Sequence, residues 1–598
     1  MCGIVGIVDQ LNGVPVSLIN EMKDSLIHRG PDGGGTYIDR RGIAGLGHRR
    51  LAILDLSTNG QQPMSTPDGR YTIVFNGEIY NYIELKEELE KKGFTFSTSS
   101  DTEVLLKGYE EWGQNVLDKL IGMFAFAVWD RDKEELFLAR DRVGKKPLLY
   151  FWDGHVFAFG SELKAFRCLH FFEAKLDPEA VEAYLALGYI PAPLSIFQNV
   201  RKLLPGHFMT FSKGILNISR FWYPEKTQIR PANNREERIE ECRLLLQNAL
   251  RLRLRSDVPI GIFLSGGIDS AIVALESVNQ GLKPHAFTLT FDHDQTDLPY
   301  AEQVAKFLGI DQEVIYVSGK QAQDDIFRIT WQYDEPFADT SNIPSYYIAS
   351  AAGKRVKVVL NGDGGDEVFG GYRHYERIAL KQSLKLLMCA LRLKDGSINN
   401  CWQTYFQSKS TFRRTERDCL LVSRKSKEDS FSELLESNPY LKALKPKDFL
   451  HMALWADRSI YLPDDLLYKM DIALMAHGVE GRSPLLDQNL LEWAQGLPLS
   501  DLVAGQSKKI LLREIYSGVL PSSILDRPKH GFGSPVNQWL RGSFQKIINE
   551  YLPSPLFDFK FQETLLKIFQ RKNREFESNR VWRILIFSLW AKQWKATW

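Results

Sequence analysis

At 598 residues, 44% hydrophobic and 25% charged, with a formal net charge of +1 at pH 7, the chain has the make-up of a globular protein of two or more domains. The balanced charge excludes a nucleic-acid partner held by bulk electrostatics, and no uncharged apolar run reaches the ~18 residues of a membrane span. Six scattered cysteines (Cys2, Cys168, Cys242, Cys389, Cys401, Cys419) form no CxxC pair, so neither a zinc site nor a disulfide framework is indicated; with no secretory leader ahead of Cys2, a cytoplasmic protein with reduced thiols is expected.

The chain opens Met1-Cys2-Gly3-Ile4-Val5-Gly6-Ile7-Val8. Removal of Met1, which the small neighbour favours, makes Cys2 the amino terminus, with a thiol of unperturbed pKa roughly 8.5 beside an amine of roughly 7.7–8.0. The amine can then act as general base for its own nucleophile. The same residues also read as a buried cysteine in a first β-strand. Tyr71 to Phe75 reads as a strand ending at Asn76-Gly77, a dipeptide that alone signals a hairpin turn. A charged, periodic stretch predicts a helix over 83–92, and 123–129 and 135–139 predict a strand pair around Asp130-Arg131-Asp132. Short strands broken by Gly and Asn turns, with few helices, predict an α+β domain of stacked antiparallel sheets. The polar, Pro-containing stretch from Tyr223 to Asn234 is the expected linker, giving domains over 2–222 and 235–598.

From Arg235 the pattern changes to strand–helix alternation, with strands over 258–264, 285–291, 313–317 and 356–360 and helices over 270–278, 300–308 and 343–352. Repeated βα units predict a parallel, doubly wound sheet that binds ligands beyond the carboxyl ends of its strands. Beyond Tyr372 the chain reads as mostly helical. The Arg- and Lys-rich stretch 411–427 reads as a solvated helix face, and the aromatic stripe from Trp582 to Trp594 as core.

Leu264-Ser265-Gly266-Gly267-Ile268-Asp269-Ser270 lies between a predicted strand and helix. Gly266 and Gly267 permit close backbone approach, the helix start offers N–H groups, and Ser265 and Ser270 add hydroxyls, which together make a pyrophosphate cradle. It is not a Walker loop, since that spacing and its lysine are absent. Asp269 would repel a phosphate unless a cation lies between them, which implies Mg²⁺. A second cluster, Asn361-Gly362-Asp363-Gly364-Gly365-Asp366-Glu367, follows the next strand and needs a cation or substrate to balance its charge. Lys529, in Arg527-Pro528-Lys529-His530-Gly531, can supply a further cation to the phosphates.

Taken in order, these residues resemble glutamine-hydrolysing asparagine synthetases over nearly the whole chain. The first half resembles an amino-terminal-nucleophile glutaminase, through Met1-Cys2-Gly3-Ile4, His28-Arg29-Gly30-Pro31-Asp32, Arg50-Leu51-Ala52-Ile53, Asn76-Gly77-Glu78-Ile79-Tyr80-Asn81 and Ser100-Asp101-Thr102-Glu103. The second half resembles an ATP pyrophosphatase synthetase, through the two acidic loops, Lys469-Met470-Asp471 and Glu480-Gly481-Arg482-Ser483-Pro484. The resemblance implies Cys2 as nucleophile, Asn76 and Gly77 as oxyanion hole, Arg50 on the glutamine α-carboxylate, and Glu78 and Asp101 on its ammonium. It further implies pyrophosphate on Ser265, Gly267, Asp269 and Ser270, with Mg²⁺ between Asp269 and Asp366. Leu264, Leu289 and Gly362 would border the adenosine, Asp363 would take the place of a catalytic acidic residue, and Lys529 would neutralise charge at the α-phosphate. The implied substrates are glutamine, ATP and aspartate, ammonia passes between the sites through a sealed passage, and homodimers are common in the family.

Two departures concern the acceptor. Some aspartate-using members carry Glu at the position of Asp363, and an Arg in the segment equivalent to 334–347, which here holds none. An aspartate acceptor then needs another cation for its α-carboxylate, with Arg482 and Lys529 as candidates. The competing expectation is the same chemistry on another carboxylate, such as a sugar uronic acid.

Overall fold

The computed structural model describes residues 2–598 except 228, 293–295, 381–400, 422–429, 444–447, 529–530 and 573. The first half contains twelve strands: β1 (Gly3–Val8), β2 (Gly33–Ile38), β3 (Ala44–Arg50), β4 (Met64–Ser65), β5 (Tyr71–Ile79), β6 (Gly122–Asp130), β7 (Glu135–Arg140), β8 (Leu149–Trp152), β9 (Phe157–Gly160), β10 (Val200–Lys202), β11 (His207–Ser212) and β12 (Ile215–Arg220). They form two six-stranded antiparallel sheets, ordered β10-β8-β9-β1-β3-β2 and β12-β11-β7-β6-β5-β4.

The sheets stack as expected, with Ile4, Val8 and Leu46 of one packed on Val74, Ala127 and Leu138 of the other. The outer face of the second sheet, carrying Phe75 and Phe126, is covered by the helices Tyr82–Glu90 and Asp101–Trp112 through Leu85, Leu89, Val104 and Leu105. Both faces of the central strands are therefore buried, which is why β1 and β6 read as nearly continuous apolar runs rather than alternating ones. The sequence expectation fails at Asn76-Gly77. These residues make no turn: β5 runs on to Ile79, with Asn76 opposite Ala125 and Gly77 opposite Phe124.

The second half is built on five parallel strands: β13 (Ile260–Phe263), β14 (Ala286–Phe291), β15 (Gln312–Val317), β16 (Val358–Leu360) and β17 (Glu480–Arg482), in the order β15-β14-β13-β16-β17. The order reverses between β13 and β16, and in such sheets the ligand crevice opens at that reversal. Strand β17 was not anticipated; its three residues, two of them charged, carry no apolar run.

The rest is largely helical. The helix Glu575–Trp594 buries Trp582, Trp590 and Trp594 in the core, as the aromatic stripe predicts. Within 411–427 the expected solvated face holds only in part, because Arg417 is buried on Glu182 and 422–427 lies outside the described residues. Among the described residues no helix is long and apolar enough to cross a membrane.

Candidate active site

The first cleft forms where the start of β1 meets the far end of β5. Cys2, Arg50, Gly77, Glu78 and Asp101 line it. Cys2 is buried; its backbone N–H donates to Asn76 Oδ1 at 3.0 Å and its carbonyl accepts from Arg29 Nε at 3.1 Å. Burial pushes the Cys2 thiol up, while the chain's amino end and Arg50 pull it back. Asn76 Nδ2 is buried with no hydrogen-bond partner, a donor left over beside the thiol's own residue. Gly77 is set by close approach: a methyl there would lie 2.1 Å from the Met123 carbonyl oxygen.

Arg50 is held in place by carbonyls, donating to Ser57 O at 2.7 Å, to Leu54 O at 3.3 Å and to Asp55 O. Asp101 opens the helix capped by Ser100 and accepts the Ile79 N–H at 2.9 Å; burial outweighs that bond and pushes its carboxyl up to about 6. Glu78 is pushed well above the usual carboxylate range by burial and by Asp101, with Arg482 pulling the other way.

The second cleft, of about 450 Å³, lies at the reversal between β13 and β16. Ser265, Gly267, Asp269 and Ser270 line it beside Leu264 and Leu289, and Gly362, Asp363 and Asp366 face them from the second loop. The helix Ile268–Asn279 starts here, so its first N–H groups meet the cleft. Ser270 Oγ donates to Gly267 O at 3.0 Å and lies 3.1 Å from Ser265 Oγ. Gly266 is not in the lining; it makes the turn behind it at φ +67°, where a methyl would lie 2.6 Å from Ala301 N. The two loops touch through glycine as well, since a methyl on Gly365 would lie 2.4 Å from Asp269 Cγ. Asp363 accepts from Asn361 Nδ2 at 2.7 Å.

Asp269 and Asp366, the expected Mg²⁺ pair, both contact the ammonium of Lys509 in this structure. Its Nζ lies 2.6 Å from Asp366 Oδ1 and also contacts Asp269 Oδ2. Among the described residues no group of three or more His, Cys, Asp or Glu side chains could hold a metal. Two carboxylates completed by phosphate oxygens are nevertheless the set Mg²⁺ takes, so these residues fit an ion that arrives on ATP.

Lys529 lies outside the described residues. Its neighbour Arg527 lines the crevice, donates to Ser265 O at 3.1 Å and pairs with Asp297. Lys509 and Lys469 were not assigned from sequence. The signal for Lys509 was a Lys pair between a Gly505-Gln506 turn and the apolar helix Ile510–Ile515. Lys469 lines the crevice and donates to Asp339 Oδ2 at 2.7 Å and Ser341 Oγ at 2.6 Å.

Arg482 is not available to an acceptor. It is fully buried, with Nε on Glu480 at 2.6 Å and Nη2 3.3 Å from Glu78, and so joins the two halves. A second buried bridge does the same: Arg29 binds Glu162 at 2.8 Å and Asp471 at 2.7 Å, and Lys146 binds Asp471 at 3.1 Å. Asp471 and Lys469 sit on one helix, Tyr468–Met475.

Comparison with known proteins agrees with this two-cleft arrangement. A glutamine amidotransferase domain model matches residues 1–222 and an asparagine synthase model matches 241–592. Asparagine synthetase [glutamine-hydrolyzing] 1 of Bacillus subtilis is 32% identical, over 99% of this chain and 96% of its own length. Asparagine synthetase [glutamine-hydrolyzing] 3 of the same organism is 31% identical, over 92% of this chain and 89% of its own. The amidase chry2 of Gibberella zeae is 27% identical, over 92% and 91%. End-to-end likeness at this level, with both domain models in sequence, makes the chain a member of the glutamine-hydrolysing asparagine synthetase family.

Proposed function

We propose that the chain is a cytoplasmic glutamine-dependent asparagine synthetase, with the domains divided near the 223–234 linker and aspartate as acceptor. The observation that carries the glutaminase half is the unpartnered Asn76 Nδ2 beside Cys2. The Cys2 sulfur attacks the glutamine amide carbon, with its proton taken by the freed α-amine. The tetrahedral oxygen then receives the Asn76 Nδ2–H and the Gly77 N–H. The C–N bond breaks, ammonia leaves with that proton, and water cleaves the thioester to glutamate. Arg50 meets the glutamine α-carboxylate, and Glu78 and Asp101 its ammonium.

In the second cleft an aspartate β-carboxylate oxygen attacks the α-phosphorus of ATP and the bond to the β-phosphate breaks. Lys509, the Ser265 and Ser270 hydroxyls and the helix start at Gly267 receive the leaving pyrophosphate charge. Bound Mg²⁺, on Asp269 and Asp366, would add further neutralisation there. Ammonia then attacks the acyl carbon, the bond to AMP breaks, and the proton lost by the nitrogen passes to the nearby Asp363 carboxylate. Lys529 is retained as a second cation for the α-phosphate.

Cys2→Ala is expected to abolish glutamine-dependent amidation while ammonia-dependent amidation continues; equal loss of both would overturn the division of labour. The acceptor is tested by incubating enzyme, MgATP and glutamine with aspartate or with uronic acids, then measuring AMP and identifying the amide by mass. Asparagine is the expected product. The absence of Arg across 334–347 favours the competing reading, a sugar-acid acceptor, which an amidated uronate without asparagine would establish.

A further inference from the structure

Beside the nucleotide crevice lies a second cavity of about 480 Å³, and the two share Asp339 and Tyr461 as a common wall. The cavity sits between the halves. Leu187, the end of the helix Pro178–Leu187, reaches it from the first half, and Asn579 and Arg583 reach it from the C-terminal helix. A space of this size and polarity, opening beside a reaction site, is the ordinary form of a small-molecule subsite.

Arg583 is the informative residue. It is only 9% exposed. Its Nη1 donates to Leu185 O at 3.0 Å and Ala186 O at 2.7 Å, and its Nη2 to Leu187 O at 3.1 Å. Those bonds cap the helix end and use three of the five guanidinium N–H groups. Nε is buried and without a hydrogen-bond partner, so the edge that Nε shares with Nη2 is not fully used. Burial lowers the group to about 10, still charged at neutral pH.

Opposite charge faces it. Asp465, buried, has Oδ1 without a partner; burial and Asp339 push its carboxyl well above the usual range, so it donates to the ionised Asp339, which Lys469 also holds, and the pair carries one negative charge. Arg583 and this pair are close enough for their charges to interact. A capping role alone explains the carbonyl bonds. It does not explain a spare guanidinium edge and a spare carboxyl oxygen on the lining of one cavity.

An amino acid with a reactive side-chain carboxylate has the matching shape: a zwitterionic head at one end, the reacting oxygen at the other. We propose that this cavity is the head-group subsite of the acceptor, with Arg583 receiving the α-carboxylate and the Asp465–Asp339 pair the α-ammonium. The β-carboxylate then enters the crevice past Asp339 and Tyr461. The proposal rests on the aspartate reading above. It supplies the cation that neither the 334–347 segment nor the buried Arg482 provides.

The test uses the full-length enzyme with ammonia as nitrogen donor and compares aspartate with β-alanine, which lacks the α-carboxylate. Arg583→Lys keeps a charge but loses the fork, and Asn579→Asp adds a repelling charge to the cavity. Glutaminase turnover of each variant reports folding. The KM for aspartate is expected to rise about tenfold or more in both, with that for ATP within about twofold. The preference for aspartate over β-alanine in kcat/KM should shrink by a like factor. Equal losses with both acceptors would reduce Arg583 to a helix cap and overturn the subsite, as would an unchanged aspartate KM in both variants. A wild-type enzyme that forms AMP with a uronate and none with aspartate would overturn the aspartate reading, and the subsite with it.

Discussion

Lys509 holds a non-glycine residue in the left-handed region, at φ +53°, and is almost entirely buried. Its ammonium is what allows Asp269 and Asp366 to approach from different loops. Truncation removes the ammonium shared by the buried Asp366 and the half-buried Asp269, and with it a charge aimed at the leaving pyrophosphate. Lys509→Ala is expected to cut pyrophosphate formation by about 10²–10³ or more, while glutamate release from glutamine persists. Asp101 provides a second test, through pH. Its ionised form is the one that can hold the glutamine ammonium, and burial has raised its pKa to about 6. The ionised fraction therefore grows as pH climbs through that value. The KM for glutamine should fall between about pH 5 and about pH 7.5, and Asp101→Asn should flatten that slope. A glutamine KM with the same slope in both proteins would remove Asp101 from the ammonium site.

At the scale of strands and loops, Gly77 shows how tightly the first cleft depends on its sheet. A methyl there meets the Met123 carbonyl on the neighbouring strand, so Gly77→Ala must shift β5 against β6. We expect about 1–3 kcal/mol of destabilisation by thermal or denaturant melting, together with lost glutaminase activity. The strand itself was legible because its alternate faces are both buried. Its extent was not, because Asn-Gly is a turn signal that pairing with Ala125 and Phe124 overrides. The parallel sheet was legible from βα alternation down to its crevice, which follows from the two Gly- and Asp-rich loops after β13 and β16. Strand β17 escaped, since Glu480 and Arg482 are buried by pairing with each other rather than by being apolar. Lys509 escaped for a related reason. Only folding shows that a surface-like Lys pair, far along the chain, closes on Asp269.

At the scale of the molecule, the halves meet through charge as well as apolar contact. Asp471, from the second half, receives both Arg29 and Lys146 of the first, and all three are buried. Removing one partner of such a cluster costs about 3–5 kcal/mol, because a buried charge is left unmatched. Asp471→Asn is accordingly expected to lower the melting temperature and to impair glutaminase turnover, though Asp471 lines neither cleft; unchanged values in both would show the bridge to be energetically neutral.

The Arg29 bridge also bears on portability. The glutaminase half cannot travel to a new partner as it stands.

 A glutaminase fragment ending at the linker would keep Glu162 but lose Asp471, leaving the fully buried Arg29 guanidinium, which also holds the Cys2 carbonyl, half matched on a newly exposed face. Anyone transplanting this ammonia source to another ligase would have to graft a carboxylate equivalent to Asp471 onto the recipient's docking surface.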